Sequence, residues 1–241
     1  MLSKSQIKLI TSLKQKKYRQ QHGFFVVEGL KTIRELLSSE LELFQLYTTE
    51  SFGEYLDREV LISFAELKKI SFLSTPNTAL ALFKIPEPKP IEENKLIVAL
   101  DDVRDPGNLG TIIRLCDWFG IHDLVCSKET VDCYNPKVIQ ATMGSIARVN
   151  INYVDLEAFI KLQNTSVFGA FMEGENVYTS KLPTEGVLVM GNEANGISEA
   201  IEKLIKAKIS IPRFGDLQAA ESLNVATATA ILLSEFKRAT F

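Results

Sequence analysis

From residue 96 to the C-terminus, short apolar runs alternate with stretches of helical spacing, and this alternation constrains the fold more than any other feature. Leu96–Leu100 is an unbroken apolar strand, Leu109–Phe119 an amphipathic helix closed by Gly120, and Leu124–Cys126 a second strand. Pro136–Met143 is helical, Val149–Val154 and Val167–Phe171 fit strands, and Val187–Met190 is another apolar run. Strands alternating with helices predict an α/β domain whose parallel sheet is covered on both faces. The last helix, Leu223–Lys237, has little polar face before Lys237 and Arg238, so it must be buried in the core or against another subunit.

Ahead of this region, Ile85-Pro86-Glu87-Pro88-Lys89-Pro90-Ile91-Glu92-Glu93-Asn94 places three prolines within five residues. Proline lacks the N–H that a helix or a central strand requires, so residues 85–94 read as a linker. Before it, Ile7, Ile10, Leu13 and Lys14 keep helical spacing. Phe24–Glu28, Leu43–Thr48 and Val60–Ser63 fit strands, and Leu30–Leu37 and Phe64–Ile70 fit helices. The expected organisation is a small α/β domain over 1–84, the linker over 85–94, and a larger parallel-sheet domain over 95–241.

With 46% hydrophobic residues the chain can bury a core, and no apolar window reaches the length of a membrane span. The start carries no apolar stretch of signal-peptide length, so the expected location is cytoplasmic. Cys116, Cys126 and Cys133 are odd in number and form no C-x-x-C pair, which predicts free, buried thiols. With only His22 and His122, neither a histidine-rich metal centre nor an imidazole base is expected.

Charge is unevenly spread. Residues 1–34 hold eight Lys/Arg (Lys4, Lys8, Lys14, Lys16, Lys17, Arg19, Lys31, Arg34) against Glu28 alone, a net +7, which leaves −10 on the remainder. A basic end on an acidic body fits a nucleic-acid-reading element joined to a catalytic one, and it fits equally a solvated helix kept soluble by its lysines.

Open parallel sheets bind ligands beyond the carboxyl ends of their strands, which directs attention to the loops after Leu100, Met190 and Ile211. The first runs from Asp101 through Asn108 and Gly110 into the helix bearing Arg114. There Gly110, Arg114 and Trp118 are spaced to lie opposite the apolar stripe, and a surface pair of Arg114 with Asp117 is the alternative. The second, Gly191-Asn192-Glu193-Ala194-Asn195-Gly196, has glycines that would let backbone approach a ligand. The third runs from Ile211-Pro212 to Ser222-Leu223-Asn224, two of whose polar residues also suit a helix start. Neither G-x-G-x-x-G nor G-x-x-x-x-G-K-[ST] occurs, so the usual dinucleotide and P-loop readings lack support.

Together these segments resemble a known family. Asn108-x-Gly110-x-x-x-Arg114, Gly191-x-Glu193-x-x-Gly196 and Ile211-Pro212…Ser222-Leu223-Asn224-Val225 are similar to the three ordered motifs of the SpoU (TrmH) branch of the SPOUT RNA methyltransferases. Asn135-Pro136-Lys137-Val138…Ala141-Thr142-Met143-Gly144 resembles the family's middle segment. Lys14-x-Lys16-Lys17-x-Arg19 followed by Phe25-Val26-Val27-Glu28-Gly29 is similar to the substrate-binding domain often fused ahead of it.

The resemblance implies a C-terminal trefoil knot, a homodimer, S-adenosylmethionine as methyl donor and a ribose 2′-hydroxyl of RNA as acceptor. It assigns Gly191, Gly196, Ile211 and Leu223 to the cofactor, and Asn108, Arg114, Glu193, Ser222 and Asn224 to the catalytic side, with Glu193 positioning Arg114 or the knot backbone. Lys14, Lys16, Lys17 and Arg19 are the expected RNA-binding cations, and no metal is required. The fused first domain points to ribosomal RNA; a transfer-RNA methyltransferase or a non-catalytic RNA-binding assembly factor of the same fold are the alternatives. The nine residues between Pro212 and Ser222 form a longer stretch than the family's usual one, and Arg213-Phe214 stands where a methionine and a small residue are common.

Overall fold

The computed structural model describes residues 1–53, 56–215 and 222–238, which form two compact units, one of residues 1–87 with 132–147 and the other of the remainder. The first unit begins with α1 (Lys4–Ser12) and α2 (Lys16–His22), followed by β1 (Phe24–Glu28), α3 (Leu30–Leu37), β2 (Leu43–Thr48), β3 (Glu59–Leu61), α4 (Phe64–Ile70) and β4 (Ala79–Lys84). Ser3 with Gln6 and Ser63 with Glu66 each make a reciprocal capping box, which fixes where α1 and α4 start.

Its sheet has the order β1-β4-β2-β3, with β4 antiparallel to both neighbours. Leu80 and Leu82 of β4 pack with Val26, Tyr47, Leu67 and Ile70 in the core. The expected strand at Val60–Ser63 runs instead from Glu59 to Leu61, and β4 lies at a position where no strand was expected. Ala-Leu-Ala-Leu-Phe has neither β-branching nor polar alternation, so only burial against both neighbours makes it a strand.

The second unit carries β5 (Leu96–Leu100), α5 (Pro106–Trp118) and β6 (Asp123–Ser127); the chain then supplies α6 (Pro136–Thr142) to the first unit. It continues through β7 (Asn150–Val154), α7 (Leu156–Lys161), β8 (Val167–Asn176), β9 (Gly186–Met190), α8 (Glu199–Glu202), β10 (Ala207–Ser210) and α9 (Val225–Arg238). The sheet order is β10-β8-β9-β5-β6-β7 and every pairing is parallel. The parallel-sheet domain expected from the alternation is present.

β5, β6 and β9 are buried along their whole length, which is why they read as continuous apolar runs. β8 extends five residues beyond Phe171, and its pairing with β10 jumps from Gly169 opposite Lys208 to Glu175 opposite Ile209. α9 buries Val225, Ala226, Thr229, Leu232, Leu233 and Phe236; it packs on α5, and Phe236 meets Phe168 edge-on with centroids 5.3 Å apart. Much of the burial this helix demands is therefore met within its own chain.

Residues 132–147, assigned to the larger domain on the sequence, are held in the first unit by specific contacts. Arg19 Nε donates to Asp132 at 2.9 Å, the Tyr134 ring lies 4.8 Å from that of Phe25, and α6 packs on β1. The three cysteines are buried and none is in a disulfide, and no helix among the described residues is long and apolar enough to cross a membrane.

Candidate active site

Parallel register places Leu100 beside Met190, so the loops after β5 and β9 leave the sheet side by side, and the Asp101 N–H donates to the Met190 carbonyl at 2.9 Å. Asp101 is buried and accepts the Ser198 N–H at 2.7 Å. Asp102 has a positive φ of 60° and takes Arg104 Nε at 2.8 Å; its carbonyl accepts the Asn192 side-chain amide at 2.6 Å. α5 begins at Pro106, three residues before the expected Leu109, because Asp105 caps it by accepting the Asn108 N–H at 2.8 Å and Pro106 occupies a first-turn position that needs no N–H.

The second loop folds onto itself. Asn192 and Gly196 exchange backbone hydrogen bonds of 2.9 Å, and Asn192 Oδ1 accepts the N–H groups of Ala194 and Asn195 at 2.9 and 3.0 Å. A Cβ on Gly191 would stand 2.3 Å from Gly196 C and Ile197 N, and Gly196 has a φ of +68°. Both glycines are thus required by the loop's own path, whereas the sequence pointed only to close approach by a ligand.

Three of the expected residues join the loops. Glu193 accepts the N–H groups of Arg104 and Asp105 at 3.2 and 3.1 Å and the Asn108 side-chain amide at 3.0 Å. Asn108 Oδ1 accepts the Asn224 amide at 2.8 Å, and Asn224 Oδ1 accepts Ala226 N and Thr227 N at 3.0 and 3.2 Å, capping α9. Each carboxamide donates at one end and accepts at the other, which fixes both orientations. Partial burial raises the proton affinity of Glu193, but the Asn108 amide and the Arg104 and Asp105 N–H groups outweigh it and hold the carboxyl below its ordinary pKa.

Beside this chain of hydrogen bonds lies a cavity of about 940 Å³. Gly191, Glu193, Gly196, Ile211, Ser222, Leu223 and Asn224 all line it; Asn108 reaches it through Asn224. Its apolar wall includes Met190, Ile209 and Phe171, while Tyr178 and Phe214 were not marked by the motifs. Residues 216–221 of the lengthened stretch lie outside the described residues.

Arg114 is placed differently. It is exposed on α5 with Thr111 and Trp118 and does not line the cavity, while Gly110, one turn earlier on the same side, is buried. Asp117 is engaged by Arg148 at 2.8 and 2.9 Å, and the carboxylate of Glu193 is spent on backbone and Asn108 rather than on Arg114. Asp102, Asp105 and Asn192 build the site and were missed. Asp105-Pro106 is a readable helix-start signal, but the partners of Asp102 and Asn192 are about ninety residues apart in sequence.

In the first unit, Lys14, Lys16 and Lys17 are exposed, with the Lys14 ammonium 4.9 Å from the Phe72 ring centroid. Arg19 is not a surface cation. Only 2% exposed, it donates to Asp132 and, through Nη1, to the carbonyls of Leu13 and Lys14 at 2.7 and 2.9 Å.

Residues 95–234 match the SpoU rRNA Methylase family and residues 4–81 the MRM3-like substrate binding domain. The 23S rRNA (guanosine(2553)-2′-O)-methyltransferase RlmP of Bacillus subtilis is 29% identical over 90% of both chains. A Porphyromonas gingivalis structure described as an RNA methyltransferase of the TrmH family is 38% identical, with a TM-score of 0.88 over 99% of each chain. The AdoMet-bound rRNA methyltransferase of Sinorhizobium meliloti is 30% identical, with a TM-score of 0.89 over 100% of this chain and 97% of that one. The family match spans more than half of the sequence and contains every loop of the site, and the chain belongs to the SpoU rRNA methylase family.

Proposed function

We propose that this protein transfers a methyl group from S-adenosylmethionine to the 2′-hydroxyl of one ribose in ribosomal RNA, in the cytoplasm and as a homodimer. The observation that carries the reading is the Glu193–Asn108–Asn224 chain, which joins three family motifs at the edge of one cavity. About 940 Å³ lies within the ~300–1,000 Å³ usual for small-molecule sites, and apolar walls with a backbone rim suit a nucleoside bearing a charged sulfonium.

Gly191, Gly196, Ile211 and Leu223 would hold the cofactor, which supplies when bound a methyl group open to in-line displacement. Asn108, Asn224 and Ser222 orient the acceptor ribose. Glu193 acts as a positioning residue, because its lone pairs are committed to Arg104, Asp105 and Asn108. Arg114, exposed outside the cavity, would bind the phosphate beside the target ribose and stabilise developing alkoxide through its fork of donors.

In this reading residues 1–84, with Lys14, Lys16 and Lys17 exposed, supply RNA affinity, and residues 95–241 supply catalysis. In the same reading the C-terminal segment of the catalytic domain forms the trefoil knot that the family resemblance implies. Support for the dimer comes from exposed apolar side chains, Trp118 at the end of α5 at 84% and Leu223 on the cavity wall at 49% exposure.

The test is transfer of labelled methyl from S-adenosylmethionine to purified ribosomal and transfer RNA, followed by nucleoside analysis. A 2′-O-methylnucleoside in ribosomal RNA is the expected product. Label confined to transfer RNA would move the substrate assignment, and RNA binding without label would make the chain an assembly factor.

A further inference from the structure

Phe214 is 82% exposed at the rim of the cavity, and its ring centroid lies 6.3 Å from that of Tyr178 at an interplanar angle of 38°. A closed stack in the same chain, Phe24 on Phe44, has centroids 4.1 Å apart at 26°. The Phe214–Tyr178 pair is therefore more widely spaced than a closed stack, and both rings line the cavity. Tyr178 sits on a fixed support: its N–H donates to Asn176 Oδ1 at 3.0 Å, and the preceding Val177 N–H donates to Ser210 of β10 at 3.0 Å.

We propose that Phe214 and Tyr178 form a stacking platform for the nucleobase of the nucleotide being methylated. The inference rests on the RNA-methyltransferase reading above and names the part of the site that holds the base. A nucleotide turned out of its stack to enter the cavity loses its base stacking. Aromatic side chains at the entrance replace the lost contact, and they accept any base because each has a π-face.

Two further observations favour the substrate base over the adenine of the cofactor as occupant. The cavity is at the upper end of the size range for a single small ligand, about 300–1,000 Å³, which leaves room for a second group. Phe214 also faces solvent, where RNA arrives, while the cofactor residues Gly191 and Ile211 are half-buried. The ribose chemistry cannot hold a base, since every nucleotide presents the same 2′-hydroxyl.

The experiment uses the full chain and compares wild type, Phe214→Ala and Phe214→Trp. Cofactor affinity is measured by calorimetry, and single-turnover methylation is followed across a range of ribosomal RNA concentrations. Phe214→Ala should raise the RNA concentration for half-maximal rate about tenfold or more, as loss of one base–aromatic stack implies. Its S-adenosylmethionine affinity should stay within about twofold of wild type, and Phe214→Trp should retain RNA affinity, as a stacking role requires.

A matching fall in cofactor affinity would assign the ring to the adenine and overturn the proposal. Unchanged RNA dependence in an active Phe214→Ala protein would also overturn it. Wild-type protein that neither binds S-adenosylmethionine nor methylates RNA would instead overturn the underlying reading, and the platform with it.

Discussion

The side-chain amide of Asn224 donates to the side-chain oxygen of Asn108 at 2.8 Å, joining residues 116 apart in sequence. Through it the start of α9 is tied to the first turn of α5, and Asn108 passes the link on to Glu193. Every polar end in this chain has a defined partner, so removing one member leaves its neighbours unsatisfied.

Glu193 should make the site's integrity depend on acid pH. Its folded pKa is depressed, so its contribution is fully present above the ordinary carboxylate value and is lost as pH falls through the folded value. Glu193→Gln keeps the shape and removes the charge, and should lower stability near neutral pH by about 1 kcal/mol. Thermal unfolding across pH should show the gap between the two proteins closing as the solution is acidified. A gap that stays constant would detach the effect from ionisation.

Gly191→Ala should damage the second loop before any ligand is present, because the new methyl meets backbone at 2.3 Å. The expected loss is about 1–3 kcal/mol, as for overpacking elsewhere. Gly196→Ala meets no atom within 4 Å and bears only the left-handed backbone penalty, about 1 kcal/mol. Melting temperatures should fall in that order. Equal stability of Gly191→Ala and wild type would mean that the loop does not need its tight return.

Asp132→Ala should destabilise the first unit by about 3 kcal/mol or more, since it strands the Arg19 guanidinium, which is 2% exposed. Denaturant unfolding measures this directly. A loss under about 0.5 kcal/mol would show that the Leu13 and Lys14 carbonyls alone suffice. For the same reason a fragment beginning at residue 95 lacks the partners of Asp132, Tyr134 and α6 and should unfold more readily than the full chain.

How far the fold could be read from sequence varies element by element. β5, β6 and β9 were legible because burial on both faces demands continuous apolar runs. β4 was not, since Ala-Leu-Ala-Leu-Phe suits a helix as well as a strand and only its neighbours decide. The three loops of the site were found through their resemblance to family motifs, yet the reasons for their residues were not visible there. Gly191 answers to backbone at Gly196, Glu193 to two N–H groups of a distant loop, and Arg19 to an aspartate 113 residues away. Such partners have no local sequence signal, which is also why Arg19 read as an RNA-facing cation.

Arg114 separates a surface arginine from a working one. Both Arg114→Ala and Arg114→Lys should change folding stability by no more than about 0.5 kcal/mol, given its exposure. Both should abolish methyl transfer in single turnover at saturating RNA and cofactor, because lysine keeps the charge and loses the planar fork. Wild-type chemistry in Arg114→Lys would show that charge suffices, and in Arg114→Ala it would remove Arg114 from the mechanism.

The central claim is that Asn108 and Asn224 act as one unit in assembling the acceptor site. A double-mutant cycle of Asn108→Ala and Asn224→Ala, read as the single-turnover rate of 2′-O-methylation of ribosomal RNA, tests it most directly. Each single variant is expected to slow transfer strongly, and the double variant to be no slower than the worse single one, as for residues that work as a set. Independent effects that multiply in the double variant, or wild-type rates in either single one, would contradict the account.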